Sequence, residues 1–195
     1  MTKALRIAVA DDEPEMQEYL QETLSVLGHE VTCAAATGRE LLEHCRQSLP
    51  DLVITDIKMP DMDGLEAATE IRALQPVPVI LVSAYHDPEL IDRALKDHVL
   101  AYLIKPIKQA DLETAIALAM RRFKEFRALQ QQADDLRQAL EDRKFVERAK
   151  GILMKRSGLD EPSAFRRLQQ LASEKNTKMI EIAQAIVTAE EAFGA

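Results

Sequence analysis

Five short apolar runs alternate with helical patterns over the first 120 residues, and this alternation constrains the fold more than any other feature of the chain. The runs are rich in Val, Ile and Leu, as strands buried on both faces of a sheet should be; they span residues 5–10, 31–35, 52–55, 77–82 and 100–104. Helical spacing of apolar residues occupies the intervals 14–27, 38–46, 64–74 and 88–96. Five strands alternating with helices predict an α/β fold, a parallel sheet covered by helices on both sides.

Acidic residues stand directly after two of these runs. Asp11 and Asp12 follow the first run, and Asp56 follows the third. In the flavodoxin-like strand order, 2-1-3-4-5, the chain reverses direction between the first and third strands, and ligands bind in the crevice at their carboxyl ends. The sequence therefore predicts that the three carboxylates meet in that crevice.

The residue types at these positions suit a phosphorylation reaction that depends on a metal ion. Carboxylates held close together repel one another, and a hard divalent ion with oxygen ligands relieves the repulsion, which favours Mg²⁺. Asp11 and Asp12 are predicted to hold the ion, and Asp56 to accept a phosphoryl group as an acyl phosphate. Lys105 ends the fifth run, where its ammonium group can pair with a phosphoryl oxygen. The bond from Lys105 to Pro106 is a candidate for the cis form.

Four motifs in this order resemble the receiver domain of bacterial two-component response regulators: DDE at 11–13, DIKMPDMDG at 56–64, SA at 83–84 and YLIKP at 102–106. The resemblance covers residues 5–120. It implies that Ser83 contacts the phosphoryl group, that Tyr102 changes rotamer on activation, and that the backbone carbonyl of Lys58 is a further metal ligand. It also implies a sensor histidine kinase as the donor, and no enzymatic activity beyond slow self-dephosphorylation. Gly64 is expected to permit the turn into the third helix.

The charge of the chain divides it into two unlike parts. Residues 1–120 hold 10 Lys/Arg and 21 Asp/Glu, a net −11, whereas residues 121–195 hold 15 and 12, a net +3. A basic segment attached to an acidic domain is expected of nucleic-acid binding, because phosphates attract clustered cations. We therefore predict a first domain at 1–120, a helical linker at 121–140 and a second domain at 141–195.

Helical spacing continues without interruption beyond the first domain. No Gly or Pro occurs between Lys108 and Lys150, so the last helix of the first domain is predicted to run straight into the linker. The apolar positions form two short heptad blocks with a stammer near 126–129; they are Leu112, Ile116, Ala119, Phe123 and Phe126, then Leu129, Ala133, Leu136 and Leu140. The stripe at 112–140 is predicted either to form a homodimeric coiled coil or to pack back on its own domain.

The last 50 residues contain three helical segments, at 145–155, 162–173 and 178–192. Helix starts are predicted at Asp160-Glu161-Pro162 and at Asn176-Thr177. The apolar positions have helical spacing and predict a small three-helix core; they are Phe165, Leu168, Leu171, Ala172, Met179, Ile182, Ala183, Ile186 and Val187. We also expect Met154 to lie in the core.

Two stretches of this region, VERAKGILMKRSGLDEPSAFRRLQQLA at 146–172 and EIAQAIV at 181–187, resemble the ANTAR domain, the RNA-binding output module of transcription antitermination regulators. The resemblance covers about 140–190. It implies binding to paired hairpins in nascent RNA, whose loops offer base edges and phosphates to Lys and Arg. The predicted RNA contacts are Arg148, Lys150, Lys155, Arg156, Arg166 and Arg167. Gly151 is predicted to allow close approach of backbone or of another helix.

These features together predict a phosphorylation-controlled RNA-binding antiterminator. Activation is expected either through dimerisation or through release of an occluded RNA surface. Two other interpretations stay open: a DNA-binding transcription factor with a helix-turn-helix, and a signalling adaptor whose C-terminal helices bind a protein. No leader and no apolar stretch of roughly 20 residues is present, which favours a cytoplasmic protein that does not enter the membrane. Cys33 and Cys45 lack metal-ligand spacing and receive no role.

Overall fold

The computed structural model describes residues 4–84 and 100–193. Its first part is a five-stranded parallel sheet in the order β2-β1-β3-β4-β5. The strands are β1 (Arg6–Ala10), β2 (Glu30–Ala35), β3 (Leu52–Asp56), β4 (Val79–Ser83) and β5 (Ala101–Ile104). The predicted strand order is therefore confirmed, and the fourth strand begins two residues later than the sequence indicated.

Six helices lie in the described residues. They are α1 (Pro14–Val26), α2 (Gly38–Gln47), α3 (Gly64–Leu74), α4 (Gln109–Ser157), α5 (Glu161–Glu174) and α6 (Met179–Phe193). The helix predicted at 88–96 falls outside the described residues. Among the described helices, none combines the length and hydropathy needed to span a bilayer.

Helices cover both faces of the sheet and bury a separate apolar cluster on each. On one face, Leu41 of α2 and Ile71 of α3 pack with Val53 and Leu81 of the sheet. On the other face, Leu24 of α1 and the first turns of α4 pack with the remaining side chains of the central strands. Because side chains alternate across a strand, consecutive apolar residues of β1, β3 and β4 supply both clusters.

The two edge strands do not have the burial predicted for them. β1, β3 and β4 are buried almost throughout, but β2 and β5 are largely half-buried or exposed. The prediction that all five strands are buried on both faces was therefore wrong for these two. The reason is their position, because in this order each has a neighbouring strand on one side alone.

The helix α4 is continuous over 49 residues. It belongs to two compact units, residues 1–127 and 128–195, and the predicted continuation of the last helix of the first domain is confirmed. The helix ends at Ser157. Gly158 follows with φ of 65°, in the left-handed region that glycine adopts readily, and its amide donates to the Met154 carbonyl.

The second unit has a three-helix core formed by the C-terminal part of α4 with α5 and α6. Its buried centre contains Ala149, Leu168, Ala183 and Val187. Asp160 caps α5 by accepting a hydrogen bond from the Ser163 amide, which confirms the predicted helix start. Thr177 contacts Glu181 at the start of α6 through its hydroxyl group.

Two side chains expected in this core are partly exposed instead. Phe165 is 36% exposed to solvent and Met154 is 38% exposed. Met179 packs against the core as predicted. Helical spacing assigns a residue to a side of the helix, but it does not specify how far the neighbouring helices extend over that side. Phe165 and Met154 therefore remain at the surface of the second unit.

Candidate functional site

The candidate site lies at the carboxyl ends of β1 and β3. These strands pair in parallel with Ala10 opposite Thr55, so Asp11 and Asp56, which follow that pair, lie side by side. Asp11 is fully buried and Asp56 is 7% exposed. The sequence placed both residues at this edge, and the structure brings them together there.

A group of four acidic residues surrounds this point. Asp11, Asp12, Glu13 and Asp56 each offer one carboxylate oxygen, and these oxygens all lie within 4.8 Å of one another. Lys105 enters from the end of β5: its Nζ lies 2.9 Å from Asp11 Oδ2, 2.9 Å from Glu13 Oε1 and 3.2 Å from Asp56 Oδ2. One ammonium group thus neutralises only part of the charge of the four carboxylates.

The burial and close spacing of these charged groups shift the pKa values of Asp11 and Lys105. Burial raises the pKa of Asp11, and the hydrogen bond from Lys105 only partly offsets that effect. Burial alone would lower the pKa of Lys105, but hydrogen bonds to Glu13 and Asp11 and the charge of Asp56 outweigh it and raise the pKa. Lys105 is therefore fully charged at neutral pH.

The Asp56 carboxylate is held in a fixed orientation. Its Oδ1 accepts a hydrogen bond of 2.6 Å from the Ile57 amide, and the Lys58 amide lies 3.4 Å from the same oxygen. Its Oδ2 accepts from Lys105 Nζ. The backbone carbonyl of Lys58 as a metal ligand stays a prediction.

Gly64 begins α3 against the backbone of the acidic site. A Cβ atom at this position would lie 1.9 Å from the Asp56 carbonyl oxygen and 3.0 Å from Thr55 Oγ1. The backbone of Gly64 does not have a positive φ. Gly64 therefore permits the chain to enter α3 by allowing close approach to the Asp56 backbone, and not by an unusual φ.

The remaining residues predicted for this site occupy the neighbouring strands. Ser83 is 3% exposed and follows Val82, the register partner of Asp56. Its carbonyl accepts a hydrogen bond from the Lys105 amide. Tyr102 lies in β5 and is half-buried against the core. Their roles in contacting a phosphoryl group and in switching stay predictions.

The peptide bond between Lys105 and Pro106 is cis, as the sequence suggested.

The acidic group fits a Mg²⁺ ion. All of its donors are oxygens, which are the ligands that Mg²⁺ prefers. Asp11 Oδ2 is buried, and the Lys105 ammonium lies 2.9 Å from it and 3.1 Å from Asp11 Oδ1. One ammonium group cannot balance four carboxylates, so a divalent cation would complete the neutralisation of this group. The sequence prediction left out Glu13, which the DDE run could have indicated.

In the second unit, the structure divides the predicted RNA-contacting cations into two groups. Lys150 is 8% exposed and lies 2.9 Å from Glu147 Oε2 and 2.7 Å from Glu161 Oε1. The hydrogen bonds from Lys150 to Glu161 and Glu147 raise the pKa of the Lys150 ammonium group. Lys150 thus joins α4 to α5, and its charge is largely used within the protein.

The other predicted cations are exposed. Arg148 lies 2.7 Å from Glu191 and Arg156 lies 2.8 Å from Glu190, so α6 pairs with two cations of α4. Lys155 is exposed and forms no ion pair within the part of the chain that the structure describes. Arg166 and Arg167 are exposed on α5, where they donate to Ser163 and Gln170. Arg148 and Lys155 are brought to one face of α4.

Gly151 lies on that same face, with open space around it. A Cβ atom built there would meet nothing within 4 Å among the described residues. The prediction that Gly151 permits close approach is therefore wrong for contacts within the described chain.

A parallel sheet of this strand order, with an acidic group and a lysine at the carboxyl ends of its central strands, defines the receiver class of signalling domains. Two family models match the chain: the response regulator receiver domain over residues 7–117 and the ANTAR domain over residues 134–187. The chain belongs to the response regulators in which a receiver domain is followed by an ANTAR domain, and it is a phosphorylation-regulated response regulator of the ANTAR type.

Similar proteins agree with this assignment. The chain is 39% identical over 182 residues to the transcriptional regulatory protein PdtaR of Mycobacterium tuberculosis, covering 93% of this chain and 89% of the relative. A response regulator receiver domain protein (CheY-like) from Methanospirillum hungatei has a TM-score of 0.59 and 29% identity, covering 63% of this chain and 98% of that structure. A receiver domain protein from Clostridium thermocellum has a TM-score of 0.57 and 32% identity, covering 62% and 98%.

Proposed function

We propose that Asp56 accepts a phosphoryl group from a sensor histidine kinase, and that this reaction controls the binding of the ANTAR domain to hairpins in nascent RNA. Such binding would stabilise an antiterminator and prevent transcription termination. The observation that carries the proposal is the meeting of Asp56, its acidic neighbours and Lys105 at one edge of the sheet, in a chain that also matches the ANTAR model.

The geometry supports a definite role for each residue in the transfer. Asp56 Oδ1 accepts from the backbone amide of Ile57, whereas Oδ2 accepts from the flexible Lys105 side chain, which can move to an incoming phosphoryl oxygen; Oδ2 is therefore the oxygen that attacks phosphorus. A bond from Oδ2 to phosphorus forms as the phosphorus–nitrogen bond of the kinase phosphohistidine breaks, and the imidazole leaves. Lys105 then pairs with a phosphoryl oxygen. A bound Mg²⁺, held by Asp11, Asp12 and Asp56 with the Lys58 carbonyl, would neutralise charge on the transferring oxygens.

Phosphorylation adds charge and acceptor oxygens at the end of β3, beside the end of β4 that carries Ser83. We expect the hydroxyl of Ser83 to contact the phosphoryl group and Tyr102 to change rotamer in response. The protein itself turns over no substrate in this scheme beyond slow loss of its own phosphoryl group. The kinase and Mg²⁺ are its partners at this site.

The phosphorylation step is tested with a small acyl phosphate as donor. Wild-type protein should incorporate one phosphoryl group in the presence of Mg²⁺ and none after chelation of the ion. Asp56→Asn should abolish incorporation, while Asp51→Asn, at an exposed carboxylate before β3, should retain it. Persistent Mg²⁺-dependent labelling of Asp56→Asn would place the acceptor on another residue.

The RNA-binding step is tested by comparing a two-hairpin RNA with duplex DNA across a salt series. Beryllofluoride with Mg²⁺ serves as the phosphoryl mimic. We expect tighter binding to the RNA with the mimic present, and loss of binding for Lys155→Ala combined with Arg166→Ala, because both side chains are exposed cations. Preference for DNA would support a DNA-binding regulator, and no binding to either would support a protein-binding adaptor.

The first block of the predicted stripe at 112–140 packs back on its own domain, where Leu112, Ile116 and Ala119 are buried against the sheet. We also propose that the chain forms a homodimer through the second block, at 129–140. Leu129, Leu136 and Leu140 are 66%, 67% and 60% exposed, at spacings that suit a coiled-coil seam. A second copy of the same helix would cover these three side chains.

A further inference from the structure

We propose that the outward face of α4 around Gly151 is where the phosphate backbone of the RNA lies against the protein, and that Gly151 provides the space for it. The face includes Arg148, Gly151, Met154 and Lys155, which share one side of the helix by their spacing, and Glu147 lies beside them. This inference rests on the RNA-binding function proposed above and assigns its central contact.

The first observation is that no contact within the described chain requires glycine at this position. Gly151 lies inside α4 with helical backbone, and a Cβ atom there would meet nothing within 4 Å. By contrast, a Cβ at Gly38 would lie 2.5 Å from the Met62 carbonyl oxygen, and one at Gly64 would lie still closer to a backbone atom. Glycine is the least favourable residue in a helix interior after proline. We therefore infer that glycine at this position serves a contact with a molecule other than this chain.

The second observation is the charge around this position. Arg148 precedes Gly151 by three residues and Lys155 follows it by four, so one cation lies about a turn away on each side. Lys155 forms no ion pair among the described residues, and the Arg148 side chain is 56% exposed despite its contact with Glu191. The acidic residue on this side, Glu147, forms an ion pair of 2.9 Å with Lys150. A gap flanked by two exposed cations, one of which would exchange a carboxylate partner for a phosphate, is complementary to a phosphate backbone.

The same observations favour RNA over a partner helix as the occupant. A packed helix would require a row of apolar residues on this face, but Met154 is the single apolar side chain among the four. Cations that flank a notch instead suit an anionic chain that approaches the helix backbone closely. The exposed part of Met154 offers apolar surface to a ribose ring beside the phosphate.

The test is to fill the notch without disturbing the fold. Gly151→Ala and Gly151→Leu both place good helix formers in open space, so the thermal midpoint of the full-length protein should stay the same or rise. With beryllofluoride and Mg²⁺ present, affinity for a two-hairpin RNA should fall by roughly tenfold for Gly151→Ala and further for Gly151→Leu. The slope of log affinity against log salt should become shallower by about 0.7 to 0.9 for each phosphate group that the variant no longer binds.

Ala185→Leu is the matched control. Ala185 is exposed on α6, and its neighbours one turn away are Glu181, Ile182, Thr188 and Ala189, none of which is a cation. This variant adds three carbon atoms to the same domain, against four for Gly151→Leu, and its RNA affinity should match that of the wild type.

The outcomes distinguish this inference from the function on which it rests. If wild-type protein binds no RNA, the proposed function fails and the inference fails with it. If wild type binds but both Gly151 variants bind within twofold of it, only the inference is overturned. Equal decreases in affinity for Ala185→Leu and Gly151→Leu would also overturn it, as would a Gly151→Leu protein whose self-association changes while its RNA affinity does not.

Discussion

At the scale of single residues, Lys105 decides how the acidic site is balanced. Its ammonium group lies within 3.2 Å of oxygens from Asp11, Glu13 and Asp56. A lysine suits this position because a compact point charge can contact several oxygens and can follow a phosphoryl oxygen on a flexible stem. The same side chain thus compensates the carboxylates before phosphorylation and pairs with the phosphoryl group after it in our proposal.

The contact between Gly64 and Asp56 predicts a large effect of a small substitution. Gly64→Ala should lower the free energy of unfolding of the first unit by about 3 kcal/mol, the upper end expected for overpacking, because the new Cβ would lie against backbone that cannot move aside easily. Urea denaturation followed by circular dichroism measures the change. Gly151→Ala, the same substitution in open space, is the matched control and should not lower stability. Equal midpoints for Gly64→Ala and wild type would show that α3 can shift away from Asp56.

His29 predicts a pH dependence of stability at near-neutral pH. Burial lowers the pKa of its imidazole below the ordinary value of 6.5, and Nδ1 accepts a hydrogen bond from the Leu5 amide. A group whose folded pKa is lowered binds protons more readily in the unfolded chain, so its contribution is full above about pH 6.5 and declines as the pH falls below it. The charged residues that line the pocket beside His29 are Glu113, Arg121, Lys124 and Arg127.

The measurement is the free energy of unfolding between pH 7.5 and 5.5. We expect it to decrease toward pH 5.5 in wild type and to decrease less in His29→Gln, since a glutamine amide does not titrate and its oxygen can accept from the Leu5 amide. An unchanged slope in His29→Gln would assign the pH dependence to other groups.

At the scale of elements, the three helices of the second unit are joined by ion pairs as well as by their core. Lys150 of α4 contacts Glu161 of α5, and Arg148 and Arg156 of α4 contact the adjacent acids Glu191 and Glu190 of α6. Exposed ion pairs contribute little to stability. We therefore expect Glu190 and Glu191 of α6 to contribute little to the stability of the fold. Their main effect should be to neutralise part of the positive charge on the surface of α4.

This arrangement predicts that α6 restrains RNA binding. Glu190→Gln combined with Glu191→Gln should strengthen binding to a two-hairpin RNA by about fivefold. In the wild type, Arg148 and Arg156 must give up their carboxylate partners before they can bind RNA phosphates, and in the double variant these ion pairs are absent. The dependence on salt should also become steeper. The pair Glu174→Gln with Glu181→Gln makes the same change in net charge at exposed positions away from those arginines. If both double variants strengthen binding equally, the effect comes from net charge alone.

At the scale of the whole molecule, the main question is whether the chain acts as one copy or two. Leu129, Leu136 and Leu140 of α4 are mostly exposed, and exposed leucines at heptad spacing are typical of a helix that pairs with another. The proposed dimer and the release of an occluded RNA surface remain the two routes by which phosphorylation can act.

Sedimentation velocity distinguishes these routes. With beryllofluoride and Mg²⁺, wild type should shift to the mass of a dimer, and replacing the three leucines by alanine should keep the protein monomeric with its helix content unchanged. Replacing Gln131 and Gln138 of the same helix by alanine is the control and should leave the dimer intact. A wild type that stays monomeric with the mimic present would rule out dimerisation as the route.

The sequence by itself determined the sheet, its order and the location of the acidic site. Buried parallel strands have a recognisable composition, and the carboxyl ends of parallel strands share one edge, so Asp11 and Asp56 had to be neighbours once β1 and β3 were identified. The continuity of α4 was also predictable, because no Gly or Pro interrupts it. These features depend on local patterns along the chain.

Only the tertiary structure decided which side chains are exposed and which charges are paired. Lys150 and Lys155 look alike in the sequence, yet Lys150 lies between two glutamates and Lys155 is exposed. The difference arises because α5 brings Glu161 to the side of α4 that carries Lys150. Among the described residues, no acidic side chain pairs with Lys155. Gly64 and Gly151 differ in the same way, since one glycine contacts backbone from a distant strand and the other contacts nothing in the described chain. Helical periodicity specifies a direction for each side chain, but the atoms found in that direction belong to elements far away in sequence.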